Sequence, residues 1–427
     1  MESDSDNMEK LIQAFKFVRN NHYIKDGIIL LSGNGLKMLI GFSLNLILAK
    51  FFGAEYLAIY GTLMSISLVI VNISDFGYGN TLTRLTNRYR RIHKEIFSTI
   101  FLLKIFLLLI FLGIFYYAID FITANQTTLE GRQNLLKLLI FLIASESLFK
   151  LLLASLQAKH YFKRFSLLLI LNNSFRLTGV ILLYLLKKLT IESIIILYTV
   201  SFILLIFTNC KVWSFSVKKI FKIIPKVIQY AFWVWLFIIF NTLFVRSDIL
   251  LINYLKYDKV VIGNYTLIIY TISLISLLQM TVFTQLLPKT SQFTSRVDYQ
   301  NYYADIKYIR LGAVILSFAY IIVLPFLLKF FYSDGYEIKP LIVIVFGIPF
   351  LFSLFNEFNC VLLYSMEKHR YISLANALGL CCVIIVLFVF RDIKTVSHIV
   401  AGVMTGKIIV DSFVYFKVKQ CLRSVTD

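Results

Sequence analysis

The sequence predicts an all-α polytopic membrane protein of about twelve transmembrane helices in two six-helix lobes. Hydrophobic residues make up 59% of the 427 positions and charged residues only 15%. The apolar runs approach the roughly 20 residues that a helix needs to cross a bilayer. The polar punctuation between them is short, which leaves no room for a soluble domain.

In chain order the runs lie at 27–50, 55–74, 97–119, 135–156, 165–186, 191–210, 229–253, 260–284, 309–331, 340–361, 371–390 and 395–416. Lipid offers no partner for backbone N–H and C=O groups, so spans of this length must be helical. Pro325 in the ninth span and Pro349 in the tenth predict kinks. Gly33-Asn34-Gly35 falls inside the first span and reads as a flexible or close-packing point, not a phosphate-binding loop.

Orientation follows from the basic residues, because cytoplasmic loops carry their excess. The segments before Gly27, at 84–94, 159–164, 211–226, 289–310 and 368–370, and after Phe416 hold well over half of the 43 Lys and Arg. Both termini are therefore expected in the cytoplasm. The predicted organisation is a cytoplasmic segment 1–26, a first lobe 27–210, an amphipathic cytoplasmic linker 211–228, a second lobe 229–416 and a tail 417–427. Residues 8–19 and 211–226 alternate apolar and basic side chains as interfacial helices do. No cleavable signal peptide is evident, and the first span reads as the insertion signal.

Two echoes divide the spans into six and six. Leu152 to His160, closing the fourth span, resembles Leu362 to His369, closing the tenth; Gly53 to Tyr60 opens the second as Asp258 to Tyr265 opens the eighth. Six is even, so both halves run the same way and their pseudo-twofold axis lies along the membrane normal.

Several classes are excluded. The net charge of +20 is scattered over many short loops and suits anionic lipid rather than nucleic acid. No cofactor or metal is expected: Cys210, Cys360, Cys381, Cys382 and Cys421 have no ligand spacing, and they fall in spans or near the inner face, where disulfides are not expected. His93, His160 and His369 lie in inner loops without a carboxylate pattern. The longest outer loop, 120–134, holds only Asp120, Glu130 and Arg132, too little for an active site, so the chain is not expected to be an enzyme.

Charges inside spans carry the functional argument, since each costs roughly 2.5–3.5 kcal/mol at the bilayer centre. Lys37, Arg176, Arg246 and Lys407 are the mid-span cations. Arg176 has Asn172 and Asn173 a turn before it and no acid in its span; Lys37, near Asn34, lacks one too. Arg246 and Asp248 are two apart and do not face each other on a helix, whereas Lys407 with Asp411, and Lys150 with Glu146, are four apart and can pair. Lys104 and Lys137 are nearer span ends and are expected to snorkel. Asp75 is expected to cap or bend the end of the second span, Arg84 to enforce topology, and Glu357, beside Asn356 and Asn359, to act as an inner gate. Trp233 and Trp235 read as interfacial anchors.

Phe52-Gly53-Ala54-Glu55-Tyr56-Leu57-Ala58-Ile59-Tyr60-Gly61, and Asp75-Phe76-Gly77-Tyr78-Gly79-Asn80 with Arg84, resemble the polysaccharide flippases of the multidrug/oligosaccharidyl-lipid/polysaccharide (MOP, MATE-like) exporter superfamily. The resemblance continues in order through Leu156-Gln157-Ala158 with Phe162, Arg246 to Leu251, Val260 to Tyr265, Leu287-Pro288 and Tyr332 to Tyr336. It implies a V-shaped pair of lobes in a bacterial cytoplasmic membrane, moving a lipid-linked oligosaccharide on undecaprenyl pyrophosphate. The protein partners it implies are a polysaccharide polymerase and a chain-length regulator.

An anionic diphosphate crossing the bilayer needs cations along a wet path. Lys37, Arg176, Arg246 and Lys407 are the expected substrate-binding set, with Asp248, Asp411 and Glu357 as coupling or gating acids. The competing reading is a multidrug cation antiporter of the same superfamily, whose cavity wants acids. A lipid II flippase of the superfamily would usually have two further spans.

Overall fold

The computed structural model describes residues 22–216, 220–272, 306–331, 339–366 and 370–424, with isolated positions between them. The described residues are helical with short connections, and no strand occurs among them. Residues 8–19 and His369 lie outside the described residues, and 211–226 is described except at 217–219.

The first helix, α1 (His22–Asp75), carries two expected spans joined at Gly53, where φ 72 and ψ −178 break the helix. That positive φ is open to glycine at little cost. A short amphipathic helix, α2 (Tyr78–Arg88), follows two left-handed residues, Phe76 and Gly77. The later helices each match one span: α3 (His93–Asn125), α4 (Gln133–Ala158), α5 (Phe162–Leu185), α6 (Ile191–Asn209), α7 (Ile220–Tyr254), α8 (Lys259–Ile272), α9 (Lys307–Phe331), α10 (Pro340–Ser365), α11 (Arg370–Val389) and α12 (Val396–Ser424). Among the described residues, ten helices are long and apolar enough to cross a membrane, the first of them containing both spans of α1. Of the eighth span, expected at 260–284, α8 is the continuous described part, and most of 273–284 lies outside the described residues. Pro325 and Pro349 sit within α9 and α10 without ending them.

Contacts fix the relative directions of the helices. Along the first half of α1, Ser166 Oγ donates to the Ile29 carbonyl, Gly41 meets Asn173, and Phe51 stacks on Tyr184 at 3.7 Å. The numbers rise together, so α1 and α5 run parallel, as first and fifth spans must. The second half of α1 pairs with α8 in the same sense, Ala54 against Gly263 and Tyr60 against Tyr270. Against α7 it runs antiparallel, with Thr62 bonded to Asn253, Asn72 to Thr242 and Ile73 to Trp235. The two segments matched in the sequence echo, 53–60 and 258–265, thus lie side by side between the halves.

One apolar core draws residues from every spanning segment, including Leu57, Ile143, Tyr198, Ile252, Phe346 and Val414. A smaller cluster joins Tyr78 and Leu82 of α2 to Ile96 and Ile100 of α3 and to Ile223, Val227 and Ala231 at the start of α7. In that first stretch of α7 the lysines at 222 and 226 are exposed while Ile223 and Val227 are buried, so the stretch is amphipathic. Elsewhere large apolar side chains cover the outside: on α3, Phe106, Leu109, Ile114 and Tyr117 are exposed, a surface suited to lipid.

Candidate functional site

Arg176 on α5 reaches across to α6. Its Nε donates to Ser201 Oγ at 3.3 Å, Ser201 Oγ in turn donates to Asn172 Oδ1 at 3.0 Å, and the guanidinium carbon lies 4.2 Å from the ring centres of both Tyr198 and Phe202. The buried Nη2 has no hydrogen-bond partner among the described residues. Aromatic faces stabilise a cation without neutralising it, so the charge stays available. Lys37 on α1 makes no hydrogen bond or ion pair among the described residues, and its electrostatic neighbours are Lys150, Glu146 and Arg176. The first and fifth spans therefore bring their cations into one neighbourhood.

Tyr60, on the second half of α1, links this group to the other lobe. Its hydroxyl hydrogen-bonds that of Tyr198 at 3.1 Å, and both Arg176 and Arg246 lie within its electrostatic reach. Arg246 on α7 has a buried Nε without a partner among the described residues. Asp248 points the other way, as the spacing of two required: it accepts from the Tyr265 hydroxyl and from the Ile249 N–H. Arg246 and Lys407 are both electrostatic neighbours of Asp248. Electrostatic neighbours thus form a series, Lys37 with Arg176, Arg176 and Arg246 with Tyr60, and Arg246 and Lys407 with Asp248.

Lys407 and Asp411 do not pair. The possibility opened by their spacing of four is not used, because Asp411 turns to α10, accepting from Ser353 Oγ and Asn356 Nδ2, both at 3.0 Å. Lys407 lies instead 4.1 Å from the centre of the Phe350 ring. Asp411, Asp248 and Glu357 are its electrostatic neighbours. Hydrogen bonds to α10 outcompete a local pair that would have left the amide of Asn356 unused.

The contrast with other in-span lysines is sharp. Lys150 pairs with Glu146 at 3.4 Å and donates to Asn72 Oδ1 at 2.9 Å. Lys104 was expected to snorkel; it is instead fully buried in an ion pair with Asp75. Asp75, expected to cap or bend the end of the second span, also accepts from the Gly79 N–H at 3.4 Å, across the break after α1. Lys137 is exposed. Of the tryptophans, Trp233 is exposed, whereas Trp235 turns inward, donating to the Ile73 carbonyl and packing on Phe76. All five cysteines are free.

Sequence reasoning overlooked the tyrosines. Tyr60 and Tyr265 each touch the charged series, and they end the two matched octapeptides, which was the available signal. Asp75 and Lys104 offered none, being 29 positions apart on different helices.

Long apolar helices joined by short connections make this a multi-pass membrane protein. A family profile described as "Polysaccharide biosynthesis protein" matches residues 23–294, and the chain belongs to that family. Its fold is that of the MOP superfamily. A lipid II flippase MurJ in an inward closed conformation is similar at 16% identity and a TM-score of 0.74, over 92% of this chain and 87% of that one. An inward-facing multidrug resistance MATE family transporter matches with a TM-score of 0.68 and 11% identity over 93% and 98% of the two chains. A MOP superfamily transporter from Pyrococcus furiosus, whose binding pocket is described as reversed in polarity, matches at 0.63 and 11% over 94% and 96%. No curated protein matches the chain. The fold is one that a solved flippase and solved membrane transporters share.

Proposed function

We propose that the chain is a flippase carrying an oligosaccharide repeat unit, linked to undecaprenyl pyrophosphate, from the inner to the outer leaflet of a bacterial cytoplasmic membrane. The product would feed O-antigen, capsule or exopolysaccharide synthesis. One observation carries the reading: Lys37, Arg176, Arg246 and Lys407 form no ion pair among the described residues, while Lys104 and Lys150 do. A buried cation without a counter-charge is costly. A diphosphate passing along the series would supply that counter-charge transiently, at successive positions in the two lobes, 27–210 and 229–416. The lipid tail would stay in the bilayer while the lobes rock in alternating access.

Lys37 and Arg176 are the first diphosphate ligands, Arg246 and Lys407 the second pair. Asp248, Asp411 and Glu357 surround Lys407 and are the groups through which a proton or cation gradient would drive the cycle. Both termini are cytoplasmic in this reading, and a polymerase and chain-length regulator act on the product.

The purified chain in proteoliposomes should expose an added undecaprenyl-diphosphate oligosaccharide to a lectin on the opposite face, faster than protein-free vesicles do. Equal rates would reject the flippase. The acid-rich surroundings of Lys407 favour one competitor, a cation-coupled multidrug antiporter. Efflux of cationic dyes from cells whose surface glycan is unaffected by gene loss would select it.

A further inference from the structure

The N-terminal end of α5 and the C-terminal end of α6 frame a cleft of about 390 Å³, lined by Arg164, Leu167 and Leu168 on one side and Thr208, Asn209 and Lys211 on the other. Neither Arg164 nor Lys211 forms an ion pair or hydrogen bond among the described residues; Arg164 has only the Tyr161 ring, at 5.8 Å. No acid lines the cleft. Lys211 is held in place indirectly. The 3₁₀ turn Cys210–Val212 is pinned by Lys159, which donates to the Val212 carbonyl and to Ser214 Oγ.

Below the cations the walls become apolar. Arg164, Leu167 and Leu171 share one stripe of α5, and Thr208 and Leu204 share one of α6, by helical spacing. Leu167, Leu171 and Leu204 are all exposed. Two exposed cations at span ends, beside exposed leucines on the same helix stripes, match the plan of a phospholipid, whose phosphate sits above its acyl chains. A free phosphate would use the cations and leave the leucines bare.

We propose that this cleft binds the phosphodiester headgroup of an anionic membrane phospholipid, with Arg164 and Lys211 on the phosphate and an acyl chain along Leu167, Leu171 and Leu204. Both cations lie at span ends, so the site is separate from the mid-span series and does not depend on what is transported. A lipid seated there would brace the end of α6, from which the chain crosses towards α7.

The test is native mass spectrometry of the full-length protein in detergent, titrated with phosphatidylglycerol, phosphatidylcholine or inorganic phosphate. Phosphatidylglycerol should be retained in preference to phosphatidylcholine, and millimolar phosphate should not displace it. R164A/K211A should weaken its retention by about thirty-fold, from the attraction each basic residue contributes near an anionic headgroup, and R164K/K211R should preserve it. Should the alanine pair fail to fold, Leu167→Glu, which sets a like charge beside the phosphate, should weaken retention instead. Equal retention of both lipids, retention unchanged by the substitutions, or displacement by inorganic phosphate would each overturn the proposal.

Discussion

Lys104 of α3 forms an ion pair with Asp75 at the end of α1, and its side chain is wholly buried. The carboxylate also receives the Gly79 N–H, so one acid joins α3 to the break between α1 and α2. Removing one partner strands a buried charge. Lys104→Met or Asp75→Asn alone should cost about 3–5 kcal/mol, seen as a lower thermal midpoint and reduced abundance. The double variant should recover much of the loss, and single variants that melt like the parent would show the pair to be dispensable.

Arg176 is predicted to be required for transport but not for folding. Arg176→Ala should abolish glycan export at normal protein abundance, because the cation is lost while its aromatic neighbours remain packed. Arg176→Lys should retain part, since a point charge replaces the planar fork. Export assayed in cells deleted for the gene decides it, and full activity of the alanine variant would remove Arg176 from the path.

Gly263 of α8 has no room for a side chain, because a Cβ there would run into the Ala54 carbonyl of α1. Gly263→Ala must push the two helices apart at the seam between the halves. Overpacking of this kind costs about 1–3 kcal/mol. Gly35, with open space around it, is the control: Gly35→Ala should leave the thermal midpoint nearly unchanged while Gly263→Ala lowers it.

Tyr257, in the connection between α7 and α8, is buried and hydrogen-bonds His398 Nδ1 at 2.6 Å. Burial pushes its hydroxyl up from the ordinary 10.0 to about 12. The folded state thus favours the protonated phenol, so this contribution to stability is full below pH 10.0 and fades as pH rises towards about 12. Tyr257→Phe should lack that alkaline step in a plot of thermal midpoint against pH. Identical alkaline profiles would discount the group.

Asp411 is predicted to couple transport to a gradient. Asp411→Asn keeps the size of the side chain that Ser353 and Asn356 hold, but removes its charge. Proteoliposomes bearing this variant should lose their response to an imposed proton or sodium gradient while still equilibrating substrate. A gradient response equal to that of the parent would exclude Asp411.

Much of this protein was legible in one dimension. A lipid-spanning helix satisfies its own backbone and must be apolar for its whole length, so spans were readable from composition and length alone. The four cations stood out for the same reason: a charge in the middle of an apolar run has no local excuse. Gly53, between two such runs, marked where α1 turns.

Partner choice was not legible, because it depends on which helix faces which. Lys104 and Lys37 look alike in sequence, yet one pairs with Asp75 and the other forms no ion pair among the described residues. Lys407 and Asp411 are correctly spaced to pair, but hydrogen bonds from α10 take the acid. The sequence by itself determined that cations lie within the membrane, through the free energy of placing charge in lipid. Which of them form no ion pair among the described residues depends on how the helices pack, since packing sets the pairing distances.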